Sequence, residues 1–215
     1  LRCGACGNLG IARIPPMDEM LDNVNYILRH AEIDGFPTVW SNFKSDINDR
    51  DAVNHMIKYV KNNPTEFDDI SAFEFQYADI YKNRADVMVG NIKYEFKSWT
   101  PGTANPWNSF FSGSGDSYTQ FTRYLENSNS LAELKYIFNG SKASETVVKN
   151  AFKDLFDMKA DDLFKPVADG GIGLEKMKQL FEINQITFNN STQFKALLNN
   201  NQPFRNHVLS FLKSE

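Results

Sequence analysis

The stretch "RADVMVGNIKYEFKSW", residues 84–99, limits what this chain can fold into more than any other. Two short runs rich in β-branched and aromatic residues flank Gly90-Asn91, the pattern of a two-residue β-hairpin. Pairing outward from that turn sets Val89 opposite Ile92, Met88 opposite Lys93, Val87 opposite Tyr94 and Asp86 opposite Glu95, with Arg84 and Lys97 meeting further out. Upstream, "ISAFEFQYADIY" alternates Phe73, Phe75 and Tyr77 with Glu74, Gln76 and Ala78, a half-buried strand, and Lys82-Asn83 turns it toward the hairpin. The expectation is a three-stranded antiparallel meander over about 70–99.

Helical spacing surrounds the meander. Met17, Leu21, Val24, Ile27, Leu28 and Ala31 predict an amphipathic helix over 17–33, which Gly35 and Pro37 end. Val53, Met56, Ile57 and Val60 predict a second over 51–62, closed by Asn62, Asn63 and Pro64. "TPGTANPWNSFFSGSGDS" has the composition of a long loop. A helix over about 117–127 follows, capped by Asp116 or Ser117, and "LAELKYIFN" alternates as a fourth strand. Residues 144–215 have helical spacing throughout, interrupted by the turn "ADGGIG", which lacks the layout of a phosphate-binding loop. The order predicts an α/β fold, a central mixed sheet flanked by helices with a C-terminal helical extension. The divisions expected are an N-terminal segment (1–49), a core (50–140) and the extension (141–215).

Hydrophobic residues make up 41% and aromatics 13% of the 215, enough for a sizeable core. The formal charge of −4 offers no bulk basic field for nucleic acid or membrane. The acid excess is local: residues 63–140 hold ten Asp or Glu against six Lys or Arg, as a carboxylate-lined metal site would. No run approaches the roughly 18 apolar residues of a membrane span. Cys3 and Cys6 form a CxxC without the further ligands of a zinc site or the strand–helix context of a redox motif, which favours two plain thiols or a local disulfide. His30, His55 and His207 are expected to be satisfied or exposed.

Asp86 opposite Glu95 is costly unless something positive compensates, since directly opposed like charges repel. A divalent cation, Lys93 and Lys97 on the same face, or open solvent are the alternatives. Two carboxylates from adjacent strands suit Mg²⁺, which keeps several waters and binds through one or two carboxylates plus phosphate oxygens, with the Phe96 carbonyl as a third candidate ligand. Lys97, two residues past Glu95 on that face, is placed to act on a water or on phosphate charge. An ordinary solvated hairpin edge is the bland alternative. Trp99, Trp107, Phe110 and Phe111 could stack on bases, but such residues more often fill core or pin a loop, and core is the expectation for Trp99. Arg84 suits a phosphate, an acidic neighbour or the plain surface.

Over roughly residues 50–140 the chain resembles the PD-(D/E)xK, or restriction-endonuclease-like, nuclease superfamily: a helix, the meander, Asp86 on its second strand, "EFK" (Glu95, Phe96, Lys97) on its third, then helix and strand. The resemblance implies Mg²⁺ or Mn²⁺ on Asp86 and Glu95, Lys97 assisting attack of water on a phosphodiester, and Gln120 of "SYTQFTRYLE" positioning water or phosphate. DNA is the implied substrate ahead of RNA. Ala85 stands where the superfamily has its variable Pro, and Glu19, Glu32 and Glu66 are open candidates for its first-helix Glu, with Glu74 and Asp79 also within reach of a metal. The chain is also similar to the C-terminal nuclease modules of bacterial polymorphic toxins carried by Rhs or YD-repeat proteins, and opening on Leu1 suits that setting. That similarity implies a secreted or delivered effector acting in the target cytoplasm, and a cognate immunity protein. The rivals are a catalytically inactive binding module of the same fold, and a toxin acting through its helical tail by unrelated chemistry.

Overall fold

A computed structural model describes residues 17–45, 47–76 and 84–215. Cys3, Cys6, Tyr77, Ala78, Asp79, Lys82 and Asn83, and what was expected of them, lie outside these residues.

Helix α1 spans Met17–Ile27 and gives way to a 3-10 turn at Leu28–His30, shorter than the helix expected to run to 33. Helix α2, Phe36–Lys44, forms where the sequence suggested a break. Pro37 sits in its first turn, where the missing N–H costs nothing, so the proline expected to end one helix opens the next. Helix α3 runs Ile47–Asn62, beginning ahead of the expected residue 51. Arg50 fastens the corner by donating from Nε to the Phe43 carbonyl and from Nη2 to that of Ser45, both at 3.2 Å, which satisfies the end of α2.

Strands β1 (Ile70–Gln76), β2 (Arg84–Val89) and β3 (Ile92–Lys97) form the antiparallel meander. Gly90 supplies the positive φ, 56°, that its turn requires. After β3 the expected loop instead folds into helical turns at Ala104–Asn108 and α4, Ser109–Phe111. Trp107 and Phe110 there are buried in the core, which removes them as exposed stacking platforms. Helix α5 spans Gly115–Asn127, entered from Ser114 rather than capped by Asp116 or Ser117. Strand β4, Leu134–Phe138, returns parallel to β3. Helices α6 (Glu145–Leu163), α7 (Leu174–Phe181), α8 (Ser191–Asn200) and α9 (Gln202–Val208) follow, with Ser144 capping α6 as its Val147 N–H donates to the Ser144 hydroxyl. The tail, read as helical to its end, finishes as strand β5, Leu212–Ser214, parallel to β4.

The fold is therefore α/β, and its described residues form a five-stranded mixed sheet in the order β1-β2-β3-β4-β5, flanked by helices. One buried cluster joins residues of α1–α3 to Phe73, Val87, Tyr94, Phe96 and Ile137. A second joins α5–α9 to Leu134, Tyr136, Phe138 and Leu212. Consecutive β4 residues thus feed opposite faces, the strand period of two. Phe152 of α6 is fully buried with its ring against Phe110, Phe121, Tyr136 and Phe211. Burying one such side chain stabilises by roughly 1.5–3 kcal/mol. Because β3 and β4 are covered on both faces, a polar side chain on either must find its partners inside. Among the described residues no helix is long and apolar enough to cross a membrane.

Candidate functional site

Three rungs of the hairpin are as the turn dictates: Val89 with Ile92, Met88 with Lys93, Val87 with Tyr94. The ladder stops there, so Asp86 is not the cross-strand partner of Glu95, nor Arg84 of Lys97. The cause is a side chain in the place of a backbone acceptor: the Phe96 N–H donates to Asp86 Oδ2 at 2.7 Å, a bond that a continued ladder would have made to a β2 carbonyl. The Arg84 carbonyl turns instead to α5, accepting from Gln120 Nε2 at 2.6 Å and from the Tyr124 hydroxyl. On its other side β2 pairs Phe73 with Val87 and Phe75 with Ala85, which puts Glu74 across from Asp86.

Glu95 is fully buried on the α5 side of the sheet, opposite Tyr136 of β4. Its Oε2 accepts from Lys97 Nζ at 2.5 Å. Its Oε1 accepts from the Tyr124 hydroxyl at 2.6 Å and from Gln120 Nε2 at 3.3 Å. Lys97 also lies 5.3 Å from the Trp99 ring centroid and 5.8 Å from that of Tyr136, within cation–π range. Lys93, likewise buried, bonds Ser128 Oγ at 3.2 Å and lies 3.8 Å from Glu133. The solvated hairpin edge is excluded by this burial. Charges here are enclosed under helix α5, and their partners are specific.

Burial, reinforced by the Asp86 charge, pushes the Glu95 carboxyl up to about 7, against the pull of Lys97 and Tyr124. Asp86 is raised by burial, with Lys97, the Phe96 N–H and Arg84 opposing. Glu74 is raised by burial and by Asp86, with Arg84, Asn42 and Lys97 opposing. For Lys97 burial acts downward, and the carboxylates of Glu95 and Asp86 outweigh it, holding the ammonium above its ordinary value. Asp86, Glu74, Arg84, Asn42 and Phe96 line one cavity of about 230 Å³ whose floor includes Val53 and Met56 of α3.

The structure thus brings Glu95, Lys97 and Gln120 into direct contact and sets Asp86 beside them through the Phe96 backbone. Arg123, one helical turn from Gln120, pairs with Glu126 at 2.5 Å. Of the candidate first-helix acids, Glu19 pairs with Lys58 at 2.9 Å, Glu32 is exposed, and Glu66 accepts from Tyr59 and Tyr94. Sequence reasoning noted Arg123 and Tyr124 behind Gln120 without giving either a role, and passed over Tyr136. Tyr124 carried a signal, its i,i+4 spacing from Gln120, while Tyr136 is tied to Glu95 only through the β3–β4 register. Among the described residues the buried Tyr136 hydroxyl finds no hydrogen-bond partner, nor does either ring nitrogen of His55, which departs from the satisfied or exposed histidine expected.

Among the described residues no three His, Cys, Asp or Glu side chains converge as a metal-holding group. Compared with models of protein families, with curated proteins and with solved structures, the chain matches none.

Proposed function

We propose that this chain is a metal-dependent nuclease of the restriction-endonuclease-like type, hydrolysing phosphodiester bonds of DNA in preference to RNA. The observation that carries the reading is the buried Glu95–Lys97 pair, 2.5 Å apart, with Gln120 on the same carboxylate and Asp86 on the adjoining backbone. Burying these charges is expensive, and a chain with no use for them would be better served by apolar residues.

The donor set fits a hard divalent cation. Among the described residues, Arg84 and Lys97 are the cations that act on Glu74, Asp86 and Glu95, and all three carboxyls are raised by burial, so added positive charge would be welcome. Asp86, Glu95 and the Phe96 carbonyl would hold Mg²⁺ or Mn²⁺, with water or phosphate oxygens filling the remaining positions. When bound, such a cation supplies Lewis acidity at a phosphoryl oxygen. Lys97 holds a fixed positive charge where negative charge develops on the phosphate, needing no reorganisation at the moment of reaction. Gln120 and Tyr124 fix the Glu95 carboxylate, and Asp86 is fixed by the Phe96 N–H.

A toxin effector delivered into a target cell, acting in its cytoplasm and restrained by an immunity protein, is the setting in which we place this activity. A second reading, an inactive binding module of the same fold, is favoured by the lack of a three-ligand metal group among the described residues. Plasmid cleavage in EDTA, Mg²⁺ or Mn²⁺, comparing wild type with folded Glu95→Ala and Lys97→Ala, separates them. Cleavage that needs metal and is lost in both variants supports the nuclease; no cleavage of DNA or RNA leaves the binding module. Cleavage surviving both changes moves the site elsewhere.

A further inference from the structure

Arg84 stands at the rim of the cavity that Asp86 and Phe96 line, and a carboxylate holds it there. Its Nε lies 3.4 Å from Glu74 Oε2, with the Arg84 side chain 48% exposed and that of Glu74 13% exposed. The backbone beneath it is anchored by Gln120 and Tyr124, the residues that also grip Glu95. Glu74 is fixed in turn: Asn42 Nδ2 donates to its Oε1 at 3.2 Å, and its backbone takes φ +47°, a conformation uncommon outside glycine. Strained backbone of this kind is found at sites where a side chain must be aimed. Glu74 also faces Asp86 across the strand pair, so its charge raises the repulsion among the site's carboxylates while it steadies Arg84.

A guanidinium presents five N–H donors in a fork that matches phosphate oxygens, and the contact with Glu74 is made through Nε. A phosphate arriving beside Asp86 competes with Glu74 for a group already half in solvent. We propose that Arg84 is a phosphate-binding residue of this site, taking a backbone phosphate of the nucleic-acid strand, and that Glu74 is the positioning residue that parks it at the rim until the strand arrives. The proposal rests on the nuclease reading. Glu74 competes with phosphate for Arg84, so its charge weakens binding. A merely structural pair predicts the opposite sign.

The test is binding of a fluorescein-labelled DNA duplex by anisotropy, with Ca²⁺ in place of Mg²⁺ and over a series of salt concentrations. Wild type is compared with Arg84→Ala, Arg84→Lys, Glu74→Gln and, as a charge-matched control, Lys149→Ala on the surface of α6. Arg84→Ala is expected to weaken binding about tenfold and to lower the salt slope by about one, since one phosphate contact is removed. Arg84→Lys should recover the slope but only part of the affinity, because a point charge replaces the fork. Glu74→Gln, with its fold verified by melting, should bind more tightly than wild type. The proposal is overturned if Arg84→Ala loses no more than Lys149→Ala, or if Glu74→Gln binds no more tightly than wild type. Wild type that cleaves plasmid but shows no binding overturns the Arg84 role alone, whereas wild type that neither binds nor cleaves removes the nuclease reading with it.

Discussion

The Tyr124 hydroxyl lies 2.6 Å from Glu95 Oε1 and also reaches the Arg84 carbonyl, so one side chain of α5 ties the third strand to the start of the second. A hydroxyl has a single proton, and Gln120 Nε2 has two, yet between them they meet the Glu95 carboxylate, the Arg84 carbonyl and each other. The cluster is a shared-proton network rather than a set of independent bonds, and loss of one member should be felt by the rest.

Tyr124→Phe removes the shorter of the two bonds to Glu95 Oε1 while keeping the ring in its packed position. Tyr124 holds the Glu95 carboxyl down, so its removal raises that carboxyl further. The acid limb of the pH profile for plasmid cleavage should move to higher pH, and urea denaturation should show a loss of about 1–3 kcal/mol. An unmoved acid limb with full activity would mean the hydroxyl has no part in setting Glu95.

Metal binding should depend steeply on pH. The folded Glu95 carboxyl is raised to about 7 from 4.5, so the stability it contributes is complete below about pH 4.5 and is lost as pH rises through 7. A divalent cation competes with that proton. Mn²⁺ is therefore expected to raise Tm clearly at pH 8 and very little at pH 5, read by thermal unfolding with and without EDTA. Equal shifts at both pH values would place any bound metal away from Glu95.

His55 should govern stability in the opposite direction. Burial depresses it to about 4 from 6.5, against the Asp51 and Glu215 charges, with the Lys142 charge helping to lower it. Its neutral form is the one the fold accepts, so its contribution is complete above pH 6.5 and is lost as pH falls through about 4. The full span is of order 3 kcal/mol at 1.36 kcal/mol per pKa unit. Because Glu95 works against it between pH 4.5 and 6.5, the quantity to measure is the difference in urea midpoint between wild type and His55→Leu. That difference should shift in favour of His55→Leu as the pH is lowered from 7 to 4, and a flat difference would contradict the assignment.

Gly35 is the residue at which a methyl group cannot be accommodated. A Cβ there would come 1.7 Å from the Phe73 carbonyl oxygen, and the backbone φ is +81°. The clash is with backbone, and it falls beside the bond by which the Phe73 N–H donates to the Asp34 carbonyl at 2.8 Å. Gly35→Ala should destabilise by at least about 2 kcal/mol and loosen α2 from β1. Gly170→Ala, with a similar φ of +82° but open space around it, should cost about 1–2 kcal/mol from the left-handed backbone alone. Equal losses in chemical denaturation would show that Gly35 is needed for its φ rather than for contact with Phe73.

Elements whose signals are local were legible in the sequence. Alternation and the Gly90 turn carried the meander and three of its rungs; 3.6-residue spacing carried α3, α5 and α6; and the Glu-x-Lys spacing put Glu95 and Lys97 on one face of β3. Gln120 was legible as a residue of the following helix. Pairings between segments far apart in the chain were not, because they depend on how those segments pack. Strand β5 is three residues long, too short to show a period, and exists because β4 offers it an edge. Asp86 left its expected rung because the Phe96 N–H took its carboxylate, and Glu74 came opposite it through a register set by the whole β1–β2 ladder. The charges of β3 look solvent-facing in sequence because alternation of polar and apolar residues cannot distinguish water from a buried partner. The parallel strand β4 and helix α5 close over Glu95 and Lys97, and desolvation then shifts their proton affinities and commits them to each other.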